Sequence, residues 1–147
     1  MAKPFRFNLE RVLDIRGQLE ERAKMELGKA NVACAAKQRE IDRLINEINA
    51  REASMSQKAV VMPDELWLWQ AYRKRLVADI QTGQVKLAEL EEVRERCRRT
   101  LVTRSKDKKL LEKLKSNKAE RHAQQEKLAE QNENDDMASI RYQPPVY

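Results

Sequence analysis

The sequence is poor in residues that interrupt regular structure. It contains three glycines and four prolines in 147 residues, and two of the prolines, Pro144 and Pro145, lie within the last four positions. Sheets require frequent turns, and glycine and proline mark most of them, so this scarcity argues against strands. Hydrophobic side chains make up 41% of the chain and charged ones 37%. The sequence therefore predicts an all-α fold with long, polar helices rather than a globule with a thick core.

Residues that usually build metal or disulfide sites are also scarce. The chain has two cysteines, Cys34 and Cys97, and one histidine, His122. A structural zinc site needs about four ligands and a disulfide framework needs several cysteine pairs, so neither is expected. Gly17, Gly28 and Gly83 are isolated and form no phosphate-binding loop. We therefore predict free thiols, no metal, no cofactor and no catalytic site, and we expect His122 to be exposed.

Long apolar runs are absent. Residues 1–8 lack the apolar core of a secretory signal, and no stretch approaches the 18 apolar residues of a membrane span. The sequence thus predicts a soluble intracellular protein.

Positive charge, by contrast, is concentrated in one segment. The net charge is +6, and residues 94–127 alone hold 13 Lys and Arg against five Asp and Glu. A basic helix of this kind attracts nucleic acid, anionic lipid or an acidic protein surface, although it can also be a face that merely keeps a long helix in solution.

Apolar residues recur at steps of three and four in two long segments, the pattern of a coiled-coil seam. The first helix is predicted over about 9–53, with Asn8 as its N-cap and with Phe7 packed on Val12. A connection follows over about 54–62. The second helix is predicted over about 63–132, starting at Pro63, and a flexible tail over about 133–147. The predicted coiled-coil core comprises Leu9, Val12, Leu19, Leu27, Cys34, Ile41, Leu44, Ile48, Leu76, Ile80, Leu87, Leu90, Cys97 and Leu101.

Two long helices with a short connection are expected to form a single antiparallel coiled-coil hairpin over 1–147. A fold at about residue 58 places Leu9 near Lys108, Leu27 near Leu90, and Leu44 near Arg73. In this register Cys34 faces Gly83. The second helix is the longer one, so residues beyond about 110 are expected to have no partner in the first.

Aromatic residues cluster at the predicted bend. Both tryptophans and Tyr72 lie within six residues, and Trp67 and Trp69 are about 200° apart on a helix, so one seam cannot bury both. Trp67 either folds over Val60 and Val61 as a cap or faces a partner.

The two ends of the chain carry a resemblance to a known family. Residues 5–16 read FRFNLERVLDIR and are followed by a Glu/Ala-rich helix, residues 111–115 read LEKLK, and residues 135–138 read DDMA. These segments resemble the opening, the late basic stretch and the ending of the flagellar export protein FliJ family, which departs from this chain in often having Glu where Asp136 stands.

The resemblance implies a non-enzymatic component of the flagellar type III export apparatus, at the cytoplasmic face of the inner membrane. It implies an antiparallel coiled coil similar to the gamma-subunit hairpin of rotary ATPases. The implied partners are the hexameric export ATPase FliI, the export gate protein FlhA and export chaperones, with no nucleic acid and with membrane contact only through the apparatus.

Two surfaces follow as hypotheses. The gate is expected to contact the bend, at Leu66, Trp67, Trp69 and Tyr72. The ATPase is expected to contact Phe5, Phe7, Arg11, Arg16, Lys106, Lys108, Lys109, Lys113, Lys115, Lys118 and Arg121. The alternatives are a basic coiled-coil module for nucleic acid, a rotary ATPase stalk subunit, and a coiled coil that self-associates through Leu111, Leu114 and Leu128.

Overall fold

The computed structural model describes residues 3–142 and 144–146 and contains two helices. Helix α1 spans Glu10–Ser56 (47 residues) and helix α2 spans Pro63–Arg141 (79 residues). No strand occurs in the described residues. The predicted fold class, all-α with two long helices of which the second is longer, is confirmed.

The start of α1 differs from the predicted N-cap. The first helical residue is Glu10, whose amide donates to the Phe7 carbonyl (3.2 Å). The side chain of Asn8 does not cap the helix; its Oδ1 accepts a hydrogen bond from Lys118 Nζ at 3.4 Å. Phe7 is buried, whereas Val12, its predicted packing partner and a predicted core residue, is 38% exposed. The segment before α1 therefore contacts α2 through Asn8, in addition to its backbone hydrogen bond with Glu10 of α1.

The helix ends also lie beyond the predicted ones. Helix α1 continues to Ser56, where Ser56 Oγ donates to the Ala53 carbonyl (2.9 Å), so the connection covers only residues 57–62. Helix α2 begins at Pro63 but runs to Arg141, so the first nine residues of the predicted tail are helical. No glycine or proline occurs between Gly83 and Pro144, and nothing in the sequence stops the helix earlier.

The chain divides into two compact units. Unit 2 comprises Glu21–Thr103. Its buried apolar side chains are small or branched: Ala23, Ala30, Cys34, Ile41, Ile48 and Leu76. Gly83 is buried as well, and a Cβ at this position would lie 3.0 Å from Ile41 Cγ1. The absence of a side chain at Gly83 thus lets the two helices approach closely at Ile41.

Unit 1 comprises Met1–Glu20 and Arg104–Tyr147. Its buried side chains are Phe7, Leu111 and Glu20. The non-helical residues 3–8, which we call the N-terminal arm, pack along α2 together with the first turns of α1. This arm gives α2 a partner well beyond residue 110.

Most predicted core residues are at least half-buried. Cys34, Ile41, Ile48 and Leu76 are buried, and Val12 is the one that lies exposed. The remaining nine are half-buried: Leu9, Leu19, Leu27, Leu44, Ile80, Leu87, Leu90, Cys97 and Leu101. Both thiols are free.

The predicted pairing register is wrong. Gly83 lies against Ile41, seven residues after the predicted Cys34. Arg73 bonds to Glu52 instead of lying beside Leu44, and Lys108 bonds to Glu20 instead of lying beside Leu9. The observed partners lie seven, eight and eleven residues after the predicted ones. An apolar seam that recurs every three to four residues along both helices admits several alignments, so periodicity alone does not set the register.

In the described residues neither helix contains a stretch long and apolar enough to cross a bilayer.

Candidate interaction surfaces

The N-terminal arm is fixed to α2 by contacts along its whole length. The Lys3 amide donates to Glu126 Oε1 (3.2 Å), and the Phe5 ring lies 5.7 Å from the His122 ring. Phe7 is only 8% exposed, with Lys118 Nζ 5.9 Å from its ring centroid. His122 is therefore half-buried between Phe5 and Glu126 and is not exposed as predicted.

The first turns of α1 continue this contact through charged groups. Glu10 Oε2 lies 2.8 Å from Lys115 Nζ, and Glu20 Oε1 lies 3.3 Å from Lys108 Nζ. Arg16 Nη1 donates to the Asp107 carbonyl at 3.0 Å. Glu20 is 7% exposed and its neighbours are partly shielded, so these bonds are screened less than pairs in open water.

Six of the predicted ATPase-facing residues thus contact other parts of unit 1. They are Phe5, Phe7, Arg16, Lys108, Lys115 and Lys118. In the structure these residues hold the arm and α1 against α2. The sequence pattern predicts that they face a partner and does not reveal these internal contacts.

The other five predicted ATPase-facing residues are exposed. Within the described chain Arg11, Lys106, Lys109, Lys113 and Arg121 form no ion pair. At 100° per residue Lys106, Lys109 and Lys113 lie on one face of α2, opposite the face that buries Leu111. Leu110, 66% exposed, lies beside them. We call Lys106, Lys109, Leu110 and Lys113 the basic stripe.

The bend in unit 2 divides its aromatic residues between two environments. Trp69 and Tyr72 are half-buried, with ring centroids 6.3 Å apart. The Tyr72 hydroxyl donates a hydrogen bond to Glu47 Oε1, and Arg51 lies 4.8 Å from the centre of its ring. The hydrogen bond to Glu47 raises the pKa of Tyr72, because ionisation would remove the shared proton and place two negative charges together.

Trp67 lies in the second environment and is 68% exposed. Val60 is 77% exposed, so the indole does not cover it as the predicted cap requires, whereas Val61 is half-buried. Leu66 is 44% exposed. Trp67 and Leu66 are thus accessible to a partner, whereas Trp69 and Tyr72 are half-buried by contacts within unit 2.

Residues 3–142 and 144–146 hold no group of three or more His, Cys, Asp or Glu side chains placed to bind a metal ion. What both surfaces offer is exposed cationic or aromatic area on a helical scaffold.

Comparison with protein families gives a match over most of the chain. The model of the family described as flagellar FliJ protein matches residues 5–145. Among curated proteins and solved structures, none matches this chain significantly. Because the family match spans nearly the whole length, the chain belongs to the flagellar FliJ protein family and is a component related to flagellar export.

Proposed function

We propose that this chain is a non-enzymatic coupling component that joins the hexameric export ATPase FliI to the export gate protein FlhA at the cytoplasmic face of the inner membrane. Export chaperones complete the proposed set of partners. The main support for this proposal is that the chain has two chemically different accessible surfaces. The cationic one lies on unit 1 and the aromatic one on unit 2.

The ATPase half of the proposal rests on the basic stripe with Arg11 and Arg121. Their charges are exposed and unpaired within the described residues, so they are available to an acidic surface without first breaking an internal bond. Such charges accelerate association and fix orientation. Arg16, Lys108 and Lys115 support this surface by holding the first turns of α1 against α2.

The gate half rests on Trp67 and Leu66. Tryptophan is enriched among the side chains that dominate binding energy, and a Trp that lies 68% exposed buries a large area when a partner covers it. Trp69 and Tyr72 stabilise the bend from which Trp67 projects.

The ATPase half is tested with Lys109→Glu/Lys113→Glu. We expect weaker binding and stimulation of FliI, by about tenfold for the loss of roughly 1.4 kcal/mol. The control is Arg39→Glu/Arg43→Glu, which makes the same change of net charge at exposed residues of unit 2 that form no ion pair in the described chain. Equal FliI binding and stimulation by both double variants would overturn the assignment of the basic stripe to the ATPase.

The gate half is tested with Trp67→Ala and purified FlhA. We expect binding to fall while FliI binding is unchanged. Val32→Ala, at a site that is 67% exposed on α1, serves as the control for loss of exposed apolar area. Gate binding that survives Trp67→Ala contradicts this half.

A further inference from the structure

Trp67 is one of several exposed apolar residues at the bend. Val60 is 77% exposed, Met62 62% and Leu68 61%, in addition to Trp67 and Leu66. We call these five residues the apolar tip. They all belong to the connection and the first two turns of α2. Apolar side chains that are exposed together and not singly indicate a binding surface.

The directions of these side chains restrict the occupant. Leu66, Trp67 and Leu68 are consecutive, so on a helix they point about 100° apart and span about 200° of its circumference. A partner helix or groove covers one face, with contacts at every third or fourth residue. Apolar residues spread over about 200° of a helix start, together with Val60 and Met62 before it, fit the interfacial layer of a bilayer, which contacts more than one face and leaves the carboxylates of Asp64 and Glu65 hydrated.

We propose that the apolar tip inserts shallowly into the surface of an anionic lipid bilayer. The residue types agree with this occupant, because tryptophan prefers the boundary between headgroups and acyl chains, and Val, Met and Leu gain by leaving water. The proposal uses Trp67 and Leu66, which the proposed contact with FlhA also uses, and it differs from the sequence expectation that membrane contact is only indirect.

Cationic residues follow the apolar tip along α2. Arg73, Lys74 and Arg75 follow Trp67 by six to eight residues, which is about 9–12 Å along the helix. Their long side chains can reach toward headgroups while the tip is inserted. Arg73 bonds to Glu52 at 2.7 Å, and in the described chain Lys74 and Arg75 form no ion pair.

Two carboxylates limit the depth of insertion. Asp64 and Glu65 lie in the first turn of α2, and Glu65 lies 3.7 Å from Lys58 Nζ. A carboxylate is costly to bury in hydrocarbon, so Asp64 must remain hydrated. The tip therefore reaches the headgroup and upper acyl region and does not span the bilayer.

The first test uses the full chain and vesicles of phosphatidylcholine containing phosphatidylglycerol, with no other protein. We expect flotation with these vesicles at physiological salt and much less with phosphatidylcholine alone. Val60→Ser/Trp67→Ser should reduce partitioning at least about tenfold. Its matched control, Val32→Ser/Met25→Ser, removes apolar side chains that are 67% and 66% exposed elsewhere in unit 2 and should float like wild type.

The second test locates the inserted residue. Trp69→Phe leaves Trp67 as the only tryptophan, and its emission should shift to the blue and be quenched by brominated lipid when vesicles are added. Trp67→Phe leaves Trp69, whose emission should change little.

Three results would overturn the proposal: no flotation of the wild type, flotation of Val60→Ser/Trp67→Ser equal to wild type, or an unchanged Trp67 emission. In the first case, binding of detergent-solubilised FlhA that still depends on Trp67 would assign the tip to a protein partner instead. Failure of FlhA binding with intact flotation would sink only the gate proposal, so the two failures are distinguishable.

Discussion

Glu10 and Lys115 form an ion pair, 2.8 Å between Oε2 and Nζ, across 105 residues of sequence. This bond fixes where the start of α1 lies against α2 in unit 1. Neither residue belongs to the apolar seam, so hydrophobic periodicity does not predict the pairing.

Reversing one charge of this pair should destabilise unit 1, and reversing both should restore it. Both side chains are nearly half exposed, 47% for Glu10 and 40% for Lys115, so the coupling energy is expected to be about 0.3–1 kcal/mol. Denaturant unfolding of Glu10→Lys, Lys115→Glu and the double variant measures it. If the two single effects simply add in the double variant, the pair has no energetic role.

Alanine at the three helix glycines should have position-dependent effects. At Gly17 and Gly28 an added Cβ meets nothing within 4 Å, so Gly→Ala should stabilise by up to about 1 kcal/mol through higher helix propensity. At Gly83 the Cβ would lie 3.0 Å from Ile41 Cγ1, and Ile41 is only 2% exposed.

Gly83→Ala should therefore be less stable than Gly28→Ala by about 1 kcal/mol or more, because the crowded side chain has little room to move. Thermal unfolding of the three variants checks this order. Equal stabilisation at all three glycines would show that Ile41 does not lie against Gly83.

Loss of the Phe7 ring should release the N-terminal arm. Phe7 is 8% exposed, and removal of a buried Phe costs about 3 kcal/mol when the site cannot refill. Hydrogen exchange should accelerate in residues 3–20 and around Leu111 in Phe7→Ala, while residues 21–103 stay protected. Arg6→Ala, at an exposed neighbouring position, is the control. Unchanged protection around Leu111 would contradict the packing of the arm.

Tyr72 should ionise at a higher pH than an ordinary tyrosine, whose pKa is 10.0. Because its pKa is raised in the folded chain, the stability that the hydrogen bond to Glu47 contributes is present below about pH 10. This contribution is lost as pH rises through the higher folded pKa. Absorbance titration of wild type minus Tyr72→Phe isolates this group. In Glu47→Gln the Tyr72 pKa should fall toward 10.0, and a midpoint that does not move would show that Glu47 is not the cause of the raised pKa.

Hydrophobic periodicity and the scarcity of glycine and proline predict both helices, because helix formation is signalled by residues that are near one another in the sequence. The start at Pro63 and the seam through Cys34, Ile41 and Leu76 follow from such local signals. The register does not, because it depends on contacts between the helices, such as Gly83 with Ile41, which a recurring apolar pattern does not specify.

The candidate surfaces are predictable only as sets of residue types. Charge marks residues 94–127 as basic, but it does not separate Lys115, which bonds to Glu10, from Lys113, which is exposed. The signal for this difference is the face of α2 on which each residue lies, and that face is known only once Phe7 and the arm are placed. Burial of Leu111 likewise removes it from the predicted self-association seam.

The proposed coupling role is tested most directly by a bridging measurement with purified components. Immobilised FliI should retain detergent-solubilised FlhA only when this chain is added. Lys109→Glu/Lys113→Glu should lose retention on FliI while still binding FlhA, and Trp67→Ala should do the reverse. Retention of FlhA that does not depend on this chain, or one substitution set that abolishes both contacts in a folded protein, would contradict two separate coupling surfaces.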